Sequence, residues 1–213
     1  MHNPLKSQLH DVISGKSKVR FGETIQAIIS DLEASAGAGA ATQAGKHLKN
    51  QEATRLIAIA QKRKCKVDDI DFERYISEGA EQRVYLNGDA SVLKLNDAIY
   101  YTSWLDYLRN LLLHNFFFSD TAYDLRGFLL QDATLYAVVE QAFVQASQTT
   151  DLTKVRMFLE ANGFVCIRNN DYLNEELGIL LEDLHDENVL TNDGMLYFID
   201  TVFYLTDSFW ELK

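Results

Sequence analysis

Apolar residues recur at helical spacing near the start of the chain, at Leu5, Leu9, Val12 and Ile13 and again at Ile25, Ile28, Ile29 and Leu32, with a break around Ser14-Gly15. That spacing puts them on one face of a helix and predicts two short helices within residues 5–33. The next stretch, ASAGAGAATQAG, has no large side chain to bury and is expected to be a flexible linker. Ala53, Leu56, Ile57 and Ile59 then mark another helix between Lys46 and Lys64.

At Asp71 the period changes. FERYISEGAEQRVYLNGDASVLKLN alternates apolar and polar positions, and its Asn87-Gly88 pair suits a tight hairpin whose two central residues need positive φ, so three strands are expected. Leucines at 105, 108, 111 and 112 predict a helix from Asp97, as its N-cap, to Asn115. Two more strands, LRGFLLQ and LYAVVEQAFV, turn at Asp132-Ala133. A helix capped by Asp151 and stopped by Asn162-Gly163 follows. The last third, GFVCIRNN, GILLEDL, NVLTNDGMLYFID and TVFYL, reads as short strands with a glycine turn at Asn192 to Gly194. Strands and helices in this order, without βαβ alternation, predict an α+β fold.

With 213 residues, 47% of them apolar and 24% charged, the chain is long enough for one good core and is not of disordered composition. Twenty basic against 31 acidic side chains give a net charge of −11, which argues against nucleic acid and anionic membranes as partners. The basic run QKRKCK at 61–66 is accounted for as cations at a helix C-terminus. Cys65 and Cys166 stand far apart, implying neither a zinc site nor a disulfide. MHNPLKSQLHDV has no apolar core of a signal peptide and no apolar run is long enough to span a bilayer, so a cytoplasmic location with no membrane partner is expected.

Candidate chemistry concentrates late in the chain. Asp183-Leu184-His185 followed by Asn188 matches D-x-x-x-x-N, and Ile199-Asp200-Thr201 lies beyond the next turn. Upstream, Gly79 to Tyr85 forms a glycine-containing strand pair and Val92-Leu93-Lys94 a lysine strand. Taken singly, these are a loop rich in Asx turns, a solvated hairpin and a snorkelling strand lysine. Taken in order, they resemble the protein-kinase-like fold, with D-L-H-x-x-N closest to aminoglycoside phosphotransferases. The chain is similar over about residues 50–205 to the polyvalent protein kinase domain, a family of long multidomain proteins in phages and other mobile elements. G-x-E-x-x-V-Y (Gly79 to Tyr85), L-L-L-H-N (Leu111 to Asn115), Gly127-Phe128, V-x-E-Q (Val139 to Gln141), D-L-H-x-x-N-V (Asp183 to Val189) and F-I-D (Phe198 to Asp200) carry that likeness.

The resemblance implies a two-lobed fold with ATP and magnesium as cofactors. Lys94 would hold the α/β-phosphates, Asn188 and Asp200 the metal, and Asp183 the acceptor hydroxyl. His185 is a candidate to assist Asp183, against the commoner reading of a histidine that holds its own loop. Gly79 and Val84 would cover the nucleotide, although Ser77 and Gln82 stand where the family has its other two glycines. Glu140 and Ala142 fall at the hinge that holds adenine by backbone groups, and Asp106 is the acid expected to pair with Lys94. Residues 1–45 are expected to be a helical extension and linker, about 46–145 an N-lobe, and about 146–213 a much reduced C-lobe, since only thirteen residues follow Asp200. A second copy covering that lobe would make a homo-oligomer. The acceptor stays open, and so do three functions: a phosphotransferase, a nucleotide-binding pseudokinase, and an interaction module that binds no nucleotide.

Overall fold

The computed structural model describes residues 3–36, 45–79 and 82–211; the small-residue linker falls mainly at 37–44, outside the described residues. The chain is α+β. Helices α1 (Pro4–Ile13) and α2 (Gly22–Ser35) form as the apolar spacing requires, with Asn3 capping α1 by accepting from the Lys6 amide at 3.1 Å. Their apolar faces, including Leu9, Val12, Ile25 and Ile28, are buried in the same core as the last third of the chain, so they are not an appendage in packing terms. Helix α3 (Gly45–Arg63) buries Leu56, Ile59 and Ala60 against that core.

The first sheet is antiparallel in the order β1-β2-β3-β5-β4, from β1 (Tyr75–Glu78), β2 (Gln82–Asn87), β3 (Ser91–Asn96), β4 (Asp124–Gln131) and β5 (Thr134–Ala142). The β4–β5 hairpin turns on Asp132 and Ala133, both at positive φ. Gly127, at φ 144°, lies at a bulge in β4 where a Cβ would run into the carbonyl of Cys65. The chain leaving α3 uses that space to hook onto β4, with Phe128 donating to Cys65 O at 2.9 Å and Val67 to Phe128 O at 2.8 Å.

Helix α4 (Trp104–Phe117) starts six residues later than expected, with Ser103 rather than Asp97 as its N-cap. Asn96 and Asp97 spend their side chains on Asx turns, accepting from Ala98 N at 2.6 Å and Ile99 N at 2.9 Å, and Ala98 adopts φ 57°. Ser103 is the N-cap, accepting from Asp106 N at 3.0 Å. Glu52 of α3, 2% exposed, accepts from Trp104 N at 2.7 Å, so one helix caps the next.

Asp151 caps α5 (Leu152–Ala161), and Gly163 at φ 79° ends it. Strands β6 (Val165–Arg168), β7 (Asp171–Asn174), β8 (Ile179–Glu182) and β11 (Val202–Leu205) make a sheet in the order β11-β8-β7-β6, while β9 (Val189–Asn192) and β10 (Met195–Phe198) pair alone. Phe116, Phe117 and Phe118, at the end of α4, pack partly buried against the core: Phe118 stacks on Phe198 at 4.0 Å and Phe117 on Phe203 at 5.5 Å. No helix among the described residues is long and apolar enough to cross a membrane.

Candidate active site

Between the first sheet and the β9–β10 hairpin lies a cleft of about 560 Å³, within the range of small-ligand sites. Gly79, Val84, Lys94, Ala142, Asp183, His185, Asn188 and Asp200 all line it. Residues from five separate segments are therefore brought to one cavity. Pairing fixes the upper wall: Val84 sits opposite Lys94 and Lys94 opposite Val139 in the ladder, which fixes the lysine's place on the central strand β3. Ala80 and Glu81, between Gly79 and Gln82 in sequence, lie outside the described residues.

The lower wall is one hairpin. Asp193 (φ 47°) and Gly194 (φ 80°) make its two-residue turn, and its open end is closed where Ile199 N and Asp200 N both donate to Asn188 O, at 2.9 and 3.3 Å. Asn188 and Asp200 are thereby side by side. Asp183 takes φ 66°, a conformation Asp tolerates better than most residues, and its side chain is exposed to the cleft. The Asn188 amide donates to Asp183 O at 2.8 Å and Asp183 Oδ2 at 2.9 Å, which uses both its hydrogens and leaves Asn188 Oδ1 as an acceptor. His185 Nδ1 lies 3.3 Å from the Glu187 amide, and its Nε2 lies 3.1 Å from Asn188 Nδ2 and 3.3 Å from Asp183 Oδ1.

Lys94 is 4% exposed, and its amine donates to the Ile199 carbonyl at 2.7 Å with the Tyr123 ring 5.5 Å away. Burial pushes its pKa down, opposed by the charge of Asp200. Burial likewise pushes the Asp200 carboxyl up, with Lys94 pulling it down and Asp183 adding to the rise. Both groups lean towards neutrality, the form that burial penalises least. From β2, Gln82 reaches across and donates to Asp200 Oδ2.

Two expected residues lie elsewhere. Asp106 lines a separate depression with Arg109, Phe203 and Tyr204, because it sits in the first turn of α4 on the flank beside β11. Glu140 is absent from the cleft lining, and its Oε2 is 2.9 Å from Arg126 Nη2, without hydrogen-bond alignment. Its backbone is paired between Leu93 and Asp124, within the sheet.

A buried polar network behind the cleft escaped sequence reasoning. His114 contacts Thr201 Oγ1 at 2.7 Å and Thr121 O at 2.9 Å, Gln141 donates to Thr121 O at 2.7 Å, and Tyr123 OH donates to Ile199 O at 2.9 Å. His114 and Gln141 stand in the L-L-L-H-N and V-x-E-Q runs, so the signal was present but unassigned.

The model of the serine/threonine/tyrosine kinases found in polyvalent proteins matches residues 49–207. The chain belongs to this family. No curated protein matches the sequence. The matched residues run from within α3 through the first sheet and both shores of the cleft to β11, whereas α1 and α2 lie before them.

Proposed function

We propose that this kinase-family chain transfers the γ-phosphoryl group of ATP to a hydroxyl acceptor, with the triphosphate lying in the cleft between the first sheet and the β9–β10 hairpin. The two sheets on either side would then act as a nucleotide lobe and a small second lobe. The convergence of a buried lysine, a loop aspartate, an asparagine oxygen and a second carboxylate on one cavity is the observation that carries this reading.

In its charged form, which neighbouring phosphate would favour, the Lys94 amine has three donors; one is held by Ile199 O, and two remain for phosphate oxygens. Asn188 Oδ1 and the Asp200 carboxylate would hold magnesium, a fit supported by their hard oxygen character and by the ion's habit of taking only one or two carboxylates beside phosphate and water. The bound ion would neutralise charge on the phosphates. Asp183 would accept the hydroxyl proton, and the His185 ring, with Nε2 3.3 Å from Asp183 Oδ1, would help hold its carboxylate in place. Val84 and Ala142 would border the base.

Gln82 favours the rival pseudokinase reading, since its amide occupies an Asp200 oxygen that a metal would need. The experiment is a thermal-shift series with ATP and magnesium, together with transfer of labelled phosphate to an acceptor panel. A ligand selective for the folded state at 100 times its dissociation constant stabilises by about 2.7 kcal/mol, or about 5–10 °C in a chain this size. Lys94→Ala and Asp200→Ala should reduce the shift, and Asp183→Asn should abolish transfer while keeping the shift. A wild-type shift with no transfer to any acceptor would favour the rival.

A further inference from the structure

A phosphate-binding lysine on a strand must be aimed, and here no acid of α4 does so. Asp106 lies in another depression, and the Lys94 amine rests on a backbone carbonyl instead. What α4 brings near the cleft is its last turn, where His114 and Asn115 are 0% and 1% exposed. A buried imidazole and a buried amide at a helix end require partners, and each has found specific ones.

Asn115 holds Tyr123 as a strand neighbour would, donating to its carbonyl at 2.8 Å and accepting from its amide at 2.7 Å. Tyr123, fixed in this way, directs its hydroxyl onto Ile199 O at 2.9 Å and its ring towards the Lys94 amine. Lys94 and Tyr123 therefore share one carbonyl oxygen, whose two lone pairs are both used. His114 grips the other flank. Thr121 O must accept from Nε2, so Nδ1 accepts from the Thr201 hydroxyl, at 2.7 Å. Ile199 and Thr201 are thus held on either side of Asp200.

We propose that His114 and Asn115, acting through Thr201 and Tyr123, are positioning residues that aim Lys94 and Asp200 at the nucleotide, the task for which the helix supplies no acid. The inference rests on the nucleotide reading of the cleft. Burial keeps the His114 ring neutral, as an acceptor towards Thr201 must be.

A double-mutant cycle on the full chain tests it, with the dissociation constant of ATP in magnesium as the readout. Tyr123→Phe keeps the ring and removes the bond to Ile199; it should weaken binding by about 3- to 10-fold. In a Lys94→Ala background the same change should cost less than about 1.5-fold, because the amine it positions is gone. A purely structural role would give equal losses in both backgrounds, and that result overturns the proposal, as does an unchanged constant for Tyr123→Phe. Should Tyr123→Phe fail to fold, Thr201→Val supplies the other limb: the magnesium concentration for half-saturation should rise and Thr201→Ser should restore it, while equal behaviour of Val and Ser overturns the proposal. Wild type that binds no nucleotide overturns the cleft reading and this one together, whereas wild-type binding with additive variants overturns this one alone.

Discussion

His114 is the residue whose burial has the plainest consequence. Desolvation drives its pKa from the usual 6.5 to about 3, so between those values the unfolded chain takes up a proton that the native ring refuses. The stability this residue contributes is complete above pH 6.5 and is lost as the pH falls towards 3. Asp200 and Glu52, both raised by burial, act oppositely, favouring the native state at low pH and losing that contribution as the pH rises through their folded pKa values. Comparing wild type with His114→Gln isolates the first effect. The wild-type advantage in urea unfolding should shrink by about 1.4 kcal/mol per pH unit below 6.5, on the pKa that burial displaces from that value; parallel curves would show that His114 is not held neutral. The sequence showed this histidine only as a helix-ending residue, because its partners Thr121 and Thr201 come from loops that spacing does not bring together. Asp183, Asn188 and Asp200 were legible because their order follows one short hairpin.

Among the elements, α4 departs most from its pattern. Its leucine stripe correctly gave the apolar face, but periodicity does not report where a helix begins, and the Asx turns at Asn96 and Asp97 delayed the start to Trp104. Asp106 lies in its first turn, beside β11 and away from the cleft that Lys94 lines. The start is secured by a residue of another helix, Glu52, which one-dimensional capping rules do not find. Glu52→Ala would leave the Trp104 amide buried without an acceptor. The expected cost is about 2 kcal/mol, or a fall of about 4–8 °C in melting temperature. Glu52→Gln, which keeps an acceptor oxygen, should recover most of it, and equal losses from the two variants would count against the cap. The β4–β5 and β9–β10 hairpins, by contrast, were legible from their turn residues.

On the scale of the molecule, one apolar core runs from α1 and α2 through α4 to β11, so residues expected to form an extension are packed with those that carry the cleft. The order of elements set the α+β class and composition the net negative charge, while the meeting of β3 with the β9–β10 hairpin depends on Phe118 stacking on Phe198 and on Lys94 reaching Ile199, contacts between distant segments. The central claim is that Lys94, Asn188 and Asp200 converge on one triphosphate, with Asp183 at its γ end. A crystal structure with a non-hydrolysable ATP analogue and magnesium tests it most directly. The Lys94 amine should contact α- or β-phosphate oxygens, and Asn188 Oδ1 and Asp200 should ligate the ion. A nucleotide bound outside this cleft, or phosphates held without Lys94, would contradict it.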